Sequence, residues 1–115
     1  MTISERAVGS VTLLDVEGQL TFGDGADRLQ DKVRSLLQQG RKQLIVNLAG
    51  VVYVDSAGLG QLIQSFATTS KQGGALKLVH LTRRLQDLLV ITKLATVFES
   101  YDNEPAALGS FAVPA

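Results

Sequence analysis

The sequence predicts an α/β domain built on a mixed sheet, and three observations carry that reading. Segments rich in aliphatic and β-branched residues alternate with segments whose apolar residues recur at helical spacing. Glycines mark most of the junctions. Two strand-like segments also stand first, before any helix-like one. Alternating strands and helices call for mostly parallel pairing, and the opening pair adds antiparallel character.

Ile3 to Val8 and Ser10 to Leu20 form that pair, with Gly9 and Ser10 as a two-residue turn signal. Asp24 to Gln39 reads as a helix, because Leu29, Val33, Leu36 and Leu37 fall on one face and Gly40 follows. Leu44 to Leu48 reads as a strand covered on both faces, since its apolar residues run on rather than alternate. Gly50 is expected to break it, and Val51 to Val54 then lead into the stretch VDSAGLGQL. Leu59, Leu62, Ile63 and Phe66 place a second helix from Ala57 to Gln72, stopped by Gly73 and Gly74. Ala75 to Leu81 is a short strand with Lys77 as its discordant member. Thr82 can cap a third helix whose buried stripe is Leu85, Leu88, Leu89 and Thr92. A strand over Val97 to Tyr101 and a helix over Glu104 to Phe111 complete the order β-β-α-β-α-β-α-β-α.

The bulk properties narrow the function classes. At 115 residues, 45% hydrophobic and 19% charged, the chain is expected to fold as one domain over 1–115 with a real core. Eleven basic residues balance eleven acidic ones, which argues against a nucleic-acid or anionic-membrane surface built on net charge. No apolar stretch approaches the ~20 residues of a spanning helix, and the start MTISERAVGS has no apolar signal core. Without cysteine there is no disulfide, thiol nucleophile or thiolate metal site. The expectation is a cytoplasmic protein with no membrane insertion, no nucleic-acid partner and no metal.

Chemistry concentrates at Asp55 to Gly60. Ser56 is a good N-cap for the second helix, worth about 1 kcal/mol, and Asp55 suits a helix N-terminus through the macrodipole. With Ser56 as the cap, Gly58 and Gly60 both fall in the first turn, each costing roughly 0.8–1 kcal/mol relative to alanine. Helix stability alone does not explain them. They leave clearance for another backbone or a bulky group near the Ser56 hydroxyl, or else they serve tight packing of this helix on the sheet. A nucleophilic hydrolase lacks its elbow, because Val54 stands two residues before Ser56. The lone histidine, His80, sits in a strand pattern. A dinucleotide fingerprint lacks its third glycine, which Ile63 replaces, and no Walker ending is present. A fourth use is acceptance of a phosphate from another protein. Phosphoserine carries about −1.5 to −2 charges, which a helix N-terminus tolerates, so the penalty falls on whatever docks over it.

VDSAGLGQLIQS, preceded by QLIVNLAGVVYV and followed by KQGGALKLVHLTRRLQDLLVITKLATVFESYD, resembles the STAS domain of bacterial anti-sigma-factor antagonists. The segment GQLTFGDGADRL is similar to that family's second strand and first helix entry, so the resemblance runs from Val11 to Tyr101. It implies a four- to five-stranded sheet with about four helices packed largely on one face. It also implies that Ser56 is a phosphorylation site, that Asp55 is the acidic neighbour of the acceptor, and that Ala57, Gly58, Leu59 and Gly60 belong to the partner-binding motif. Many relatives carry a second serine where this chain has Ala57. The loop Leu20 to Asp27 matches a segment lining the partner surface, which nominates Thr21 and Asp24 by position.

The implied partner is an anti-sigma factor with a histidine-kinase-like ATPase fold, acting as a serine kinase. The unphosphorylated antagonist binds it and frees the sigma factor, phosphorylation at Ser56 ends that binding, and a phosphatase acting on phospho-Ser56 resets the cycle. Any ATP belongs to the kinase, so no cofactor is expected and the chain is not expected to be an enzyme. The same domain also serves stress-signalling complexes, two-component relays and lipid-transport systems, so an interaction module of another assembly is the alternative.

Overall fold

The computed structural model describes residues 1–21 and 27–111. The described elements run β1 (Thr2–Val8), β2 (Val11–Leu20), α1 (Asp27–Gln38), β3 (Gln43–Val54), α2 (Ser56–Lys71), β4 (Ala75–Val79), α3 (Arg83–Ile91), β5 (Ser100–Tyr101) and α4 (Glu104–Gly109). The order matches the one expected. The helix start anticipated at Asp24 lies outside the described residues.

Five strands form one sheet in the order β1-β2-β3-β4-β5, the order of the chain itself. β1 pairs antiparallel with β2 across the Gly9–Ser10 turn, and the remaining pairs are parallel. This order explains the helix layer. Each parallel connection steps to the next strand in the same direction, and right-handed crossovers taken in one direction leave their helices on one face. Leu14, Val16, Leu44, Val46 and Leu78 accordingly share one core with Leu29 and Val33 of α1, Leu62 of α2, and Leu85 and Leu89 of α3. Val11, Leu13, Ile45 and Val79 point to the other face, where Ala107 of α4 covers them. Strand residues at odd and even positions thus serve two cores, which is why β2 and β3 read as continuous apolar runs.

Gly50 does not break β3, contrary to expectation. Asp15 faces Asn47, Glu17 faces Gly50, and Gln19 faces Tyr53, so β3 gains one residue on β2 at each of two bulges. A Cβ on Gly50 would come within 2.6 Å of the Glu17 side chain, so glycine permits the close approach at the first bulge. The second bulge flips Val52 outward, where it is 70% exposed.

Other boundaries also differ from expectation. β4 stops at Val79 rather than Leu81 because His80 adopts φ 58°, a left-handed conformation that leaves the strand path. β5 holds two residues instead of five, and α4 ends at Gly109. Thr92 is the C-cap of α3 rather than part of its buried stripe, and its Oγ1 donates to the Leu88 carbonyl at 2.7 Å.

Two polar clusters tie α4 to the sheet. Lys77 is buried, and its Nζ donates to Ser110 Oγ at 2.8 Å, pairs with Glu99 at 2.9 Å and lies 4.3 Å from the Phe111 ring centre. Hydrogen bonding to Lys77 holds the Glu99 carboxyl below the usual carboxylate range. At the other edge, the Arg6 guanidinium makes a bidentate contact with Asp15 at 2.6 and 2.9 Å and also donates to Glu104. That pairing lowers the Asp15 pKa, partial burial opposes it, and a 2.9 Å hydrogen bond from Asn47 adds to the lowering.

Candidate functional site

The site forms where β3 ends and α2 begins, at the carboxyl end of the parallel strands. There the chain turns within one residue. Leu20, the last residue of β2, pairs with Val54 of β3, and the Asp55 N–H donates to the Leu20 carbonyl at 3.4 Å. Asp55 then has extended backbone geometry, and its Oδ1 accepts the Gly58 N–H at 2.9 Å.

Asp55 is therefore the N-cap, and the expected assignment of that role to Ser56 is corrected. Both residue types cap well, so local preference does not separate them. The bond that Asp55 makes to Leu20 decides the register. Ser56 becomes the first helical residue, and its side chain faces solvent. Among the described residues no hydrogen bond engages the Ser56 hydroxyl.

The two glycines separate in role. A Cβ on Gly58 would stand 1.8 Å from the Leu20 carbonyl oxygen and 2.7 Å from its carbon. Gly58 thus serves backbone contact between α2 and β2, rather than clearance for an incoming group. Gly60 meets nothing within 4 Å and faces open space, as the clearance reading anticipated. Leu59 is 8% exposed and belongs to the helix-side core, so it anchors the first turn from inside. Ala57 is half-buried. Thr21 follows Leu20 directly and is buried, next in the chain to the residue that meets Asp55 and Gly58. Asp24 lies outside the described residues.

Beside Ser56 lies a surface not singled out residue by residue from the sequence. Tyr53 is half-exposed, and the Arg84 guanidinium of α3 lies 5.8 Å from its ring centre. A signal was present: Val51, Val52, Tyr53 and Val54 are four consecutive apolar residues, which an unbulged strand end cannot bury on one face. The apolar residues of α3 and the turn after it divide between core and surface. Leu89 is buried, Leu88 and Leu94 pack against the core from its edge, and Val90 and Ile91 are exposed.

A five-stranded mixed sheet in chain order, with three helices on one face, is the arrangement that the sequence resemblance implied. The family model of the STAS domain matches residues 2–107. The chain belongs to the STAS domain family.

An anti-sigma-B factor antagonist of Bacillus subtilis (strain 168) is 41% identical to this STAS chain over 71 residues. That match covers 62% of this chain and 64% of the relative's length. A crystal structure from Thermotoga maritima has the same fold at TM-score 0.86, with 21% identity over 94% of this chain and 92% of that one. The Bacillus cell fate determinant SpoIIAA in its phosphorylated form superposes at TM-score 0.73, with 15% identity over 95% of this chain and 99% of that one. These similarities establish the five-stranded mixed sheet with its helices as a STAS fold. No helix among the described residues is long and apolar enough to cross a membrane.

Proposed function

We propose that this STAS protein is an anti-sigma-factor antagonist switched at Ser56. In the unphosphorylated state the first turn of α2 docks on an anti-sigma factor of the histidine-kinase-like ATPase type, which then releases its sigma factor. Transfer of a phosphoryl group to Ser56 ends the docking, and a phosphatase restores it. The observation that carries this reading is the exposed, uncommitted hydroxyl of Ser56 beside a capping aspartate.

The chemistry fits that geometry. The Ser56 Oγ–phosphorus bond forms as the bond between the γ-phosphorus and ADP breaks, and the hydroxyl proton leaves to a base on the kinase. Because Asp55 does the capping, modification of Ser56 removes no hydrogen bond from the helix. A dianion at the first helical residue is also favoured by the macrodipole. α2 therefore keeps its structure, and the cost falls on the interface, where the phosphate and Asp55 place like charges against the partner. Ala57 and Gly60 flank the acceptor, Gly58 and Leu59 hold the turn in position, and Thr21 belongs to the docking surface by its place after β2. The curated relative supports the reading through its function as an anti-sigma-B factor antagonist.

The test is incubation of the protein with each histidine-kinase-like anti-sigma protein of its own genome, with and without ATP. The expected result is a complex with one of them, lost as peptide mass spectrometry shows phosphate on Ser56. Absence of any complex together with an unmodified Ser56 would overturn the proposal.

A further inference from the structure

The surface between the end of β3 and α3 has no role in the reading of Ser56. A shallow groove there is lined by Tyr53, Val54, Arg84, Asp87, Leu88 and Ile91. Val52 at its margin is 70% exposed and Ile91 is 77% exposed, the two largest exposures among the exposed large hydrophobic residues described. An apolar rim of this kind, next to half-buried Leu88, marks an interaction surface rather than scattered surface aliphatics.

The charges on the groove indicate what covers it. Arg84 and Asp87 are three residues apart and therefore neighbours on one face of α3. Arg84 stacks on Tyr53 but forms no ion pair, and the Asp87 carboxylate has neither an ion pair nor a hydrogen bond, among the described residues. One positive and one negative group, both unpaired and flanking an apolar strip, make a self-complementary pattern. A two-fold axis brings residue i of one copy to residue j of the other, and j to i. An unrelated partner would have to supply both signs in matching order, whereas a second copy supplies them by symmetry. Formal net charge is zero at pH 7, so no long-range repulsion keeps two copies apart.

We propose that this STAS chain forms a two-fold symmetric homodimer through α3 and the bulged end of β3. Two α3 helices lie antiparallel across the axis. Arg84 of each copy pairs with Asp87 of the other near the axis, and Leu88, Ile91 and Val52 extend the contact on either side of it. The contact uses no residue of the Ser56 turn, and its test needs neither a kinase nor a phosphate, so it stands or falls separately from the proposed switch.

Sedimentation equilibrium over roughly 1 to 500 µM, the range in which weak dimers dissociate, tests it. The wild type is expected to shift from monomer to dimer. Arg84→Asp, Asp87→Arg and Ile91→Asp should each weaken the dimer about tenfold or more, with circular dichroism confirming that the folds are unchanged. The double exchange Arg84→Asp with Asp87→Arg should restore dimerisation. A protein monomeric at all concentrations would overturn the proposal. So would a dimer insensitive to Ile91→Asp, one that Ser4→Pro on the β1 edge abolishes instead, or one that the double exchange fails to restore.

Discussion

The carbonyl oxygen of Leu20 stands 1.8 Å from where a Cβ on Gly58 would be, so α2 meets the end of β2 backbone against backbone. This contact sets the height of the Ser56 turn above the sheet. Gly58→Ala must push the helix away and is expected to cost about 2–3 kcal/mol, as overpacking of a tight contact does. Gly60→Ala meets open space and should stabilise by up to about 1 kcal/mol through helix propensity. Urea titration of the two variants measures the difference, and equal effects would contradict this division.

Asp55 and Ser56 should also part company in stability. Asp55→Ala removes the acceptor of the Gly58 N–H and is expected to cost about 1 kcal/mol, whereas Asp55→Asn retains most of it. Ser56→Ala should change stability by less than about 0.5 kcal/mol, as exposed positions generally do. Thermal melts of the three variants check the ranking. A larger loss at Ser56 would return the capping role to the serine.

The Arg6–Asp15 pair gives a pH signature. The folded-state pKa of Asp15 lies below its unfolded value, so its contribution is complete above the unfolded range and is lost as pH falls through the folded one. Arg6 is largely exposed, which limits the pair to about 0.5–1 kcal/mol at pH 7. Arg6→Ala is expected to show that deficit at neutral pH and to begin converging with the wild type only as pH falls below about 4. Denaturation at a series of pH values reads the gap, and a gap that widened in acid would refute the assignment.

Lys77 should act on α4 specifically. Lys77→Ala removes its bonds to Ser110 and Glu99 and its contact with Phe111. A loss of about 1–2 kcal/mol is expected, with amide exchange rising first at residues 107–111. Uniform acceleration across the sheet would instead show that Lys77 supports the domain as a whole.

Much of this architecture was legible in the sequence because its cores are made of periodic aliphatic residues. Leu29, Val33, Leu36 and Leu37 marked α1, and Leu62 marked α2, without reference to anything distant. The misread features depend on partners far along the chain. Gly50 looked like a breaker because the Glu17 side chain that it accommodates lies on another strand. Ser56 looked like the cap because the bond from Asp55 to Leu20 spans 35 residues. His80 looked like a strand residue because nothing local forecasts its left-handed backbone. At the site, the residue types were readable, but their division into exposed acceptor, cap and packing contact required the β2–α2 junction.

The sheet order that placed three helices on one face also has a kinetic consequence. Every strand pairs with its neighbour in sequence, so each element can add to a finished edge as it leaves the ribosome. The exception is α4, whose Glu104 reaches back across 98 residues to Arg6. We predict that a chain ending at residue 103 folds its sheet, and that α4 closes last. Pulsed hydrogen exchange that protected Ala107 before Leu44 would reverse that order.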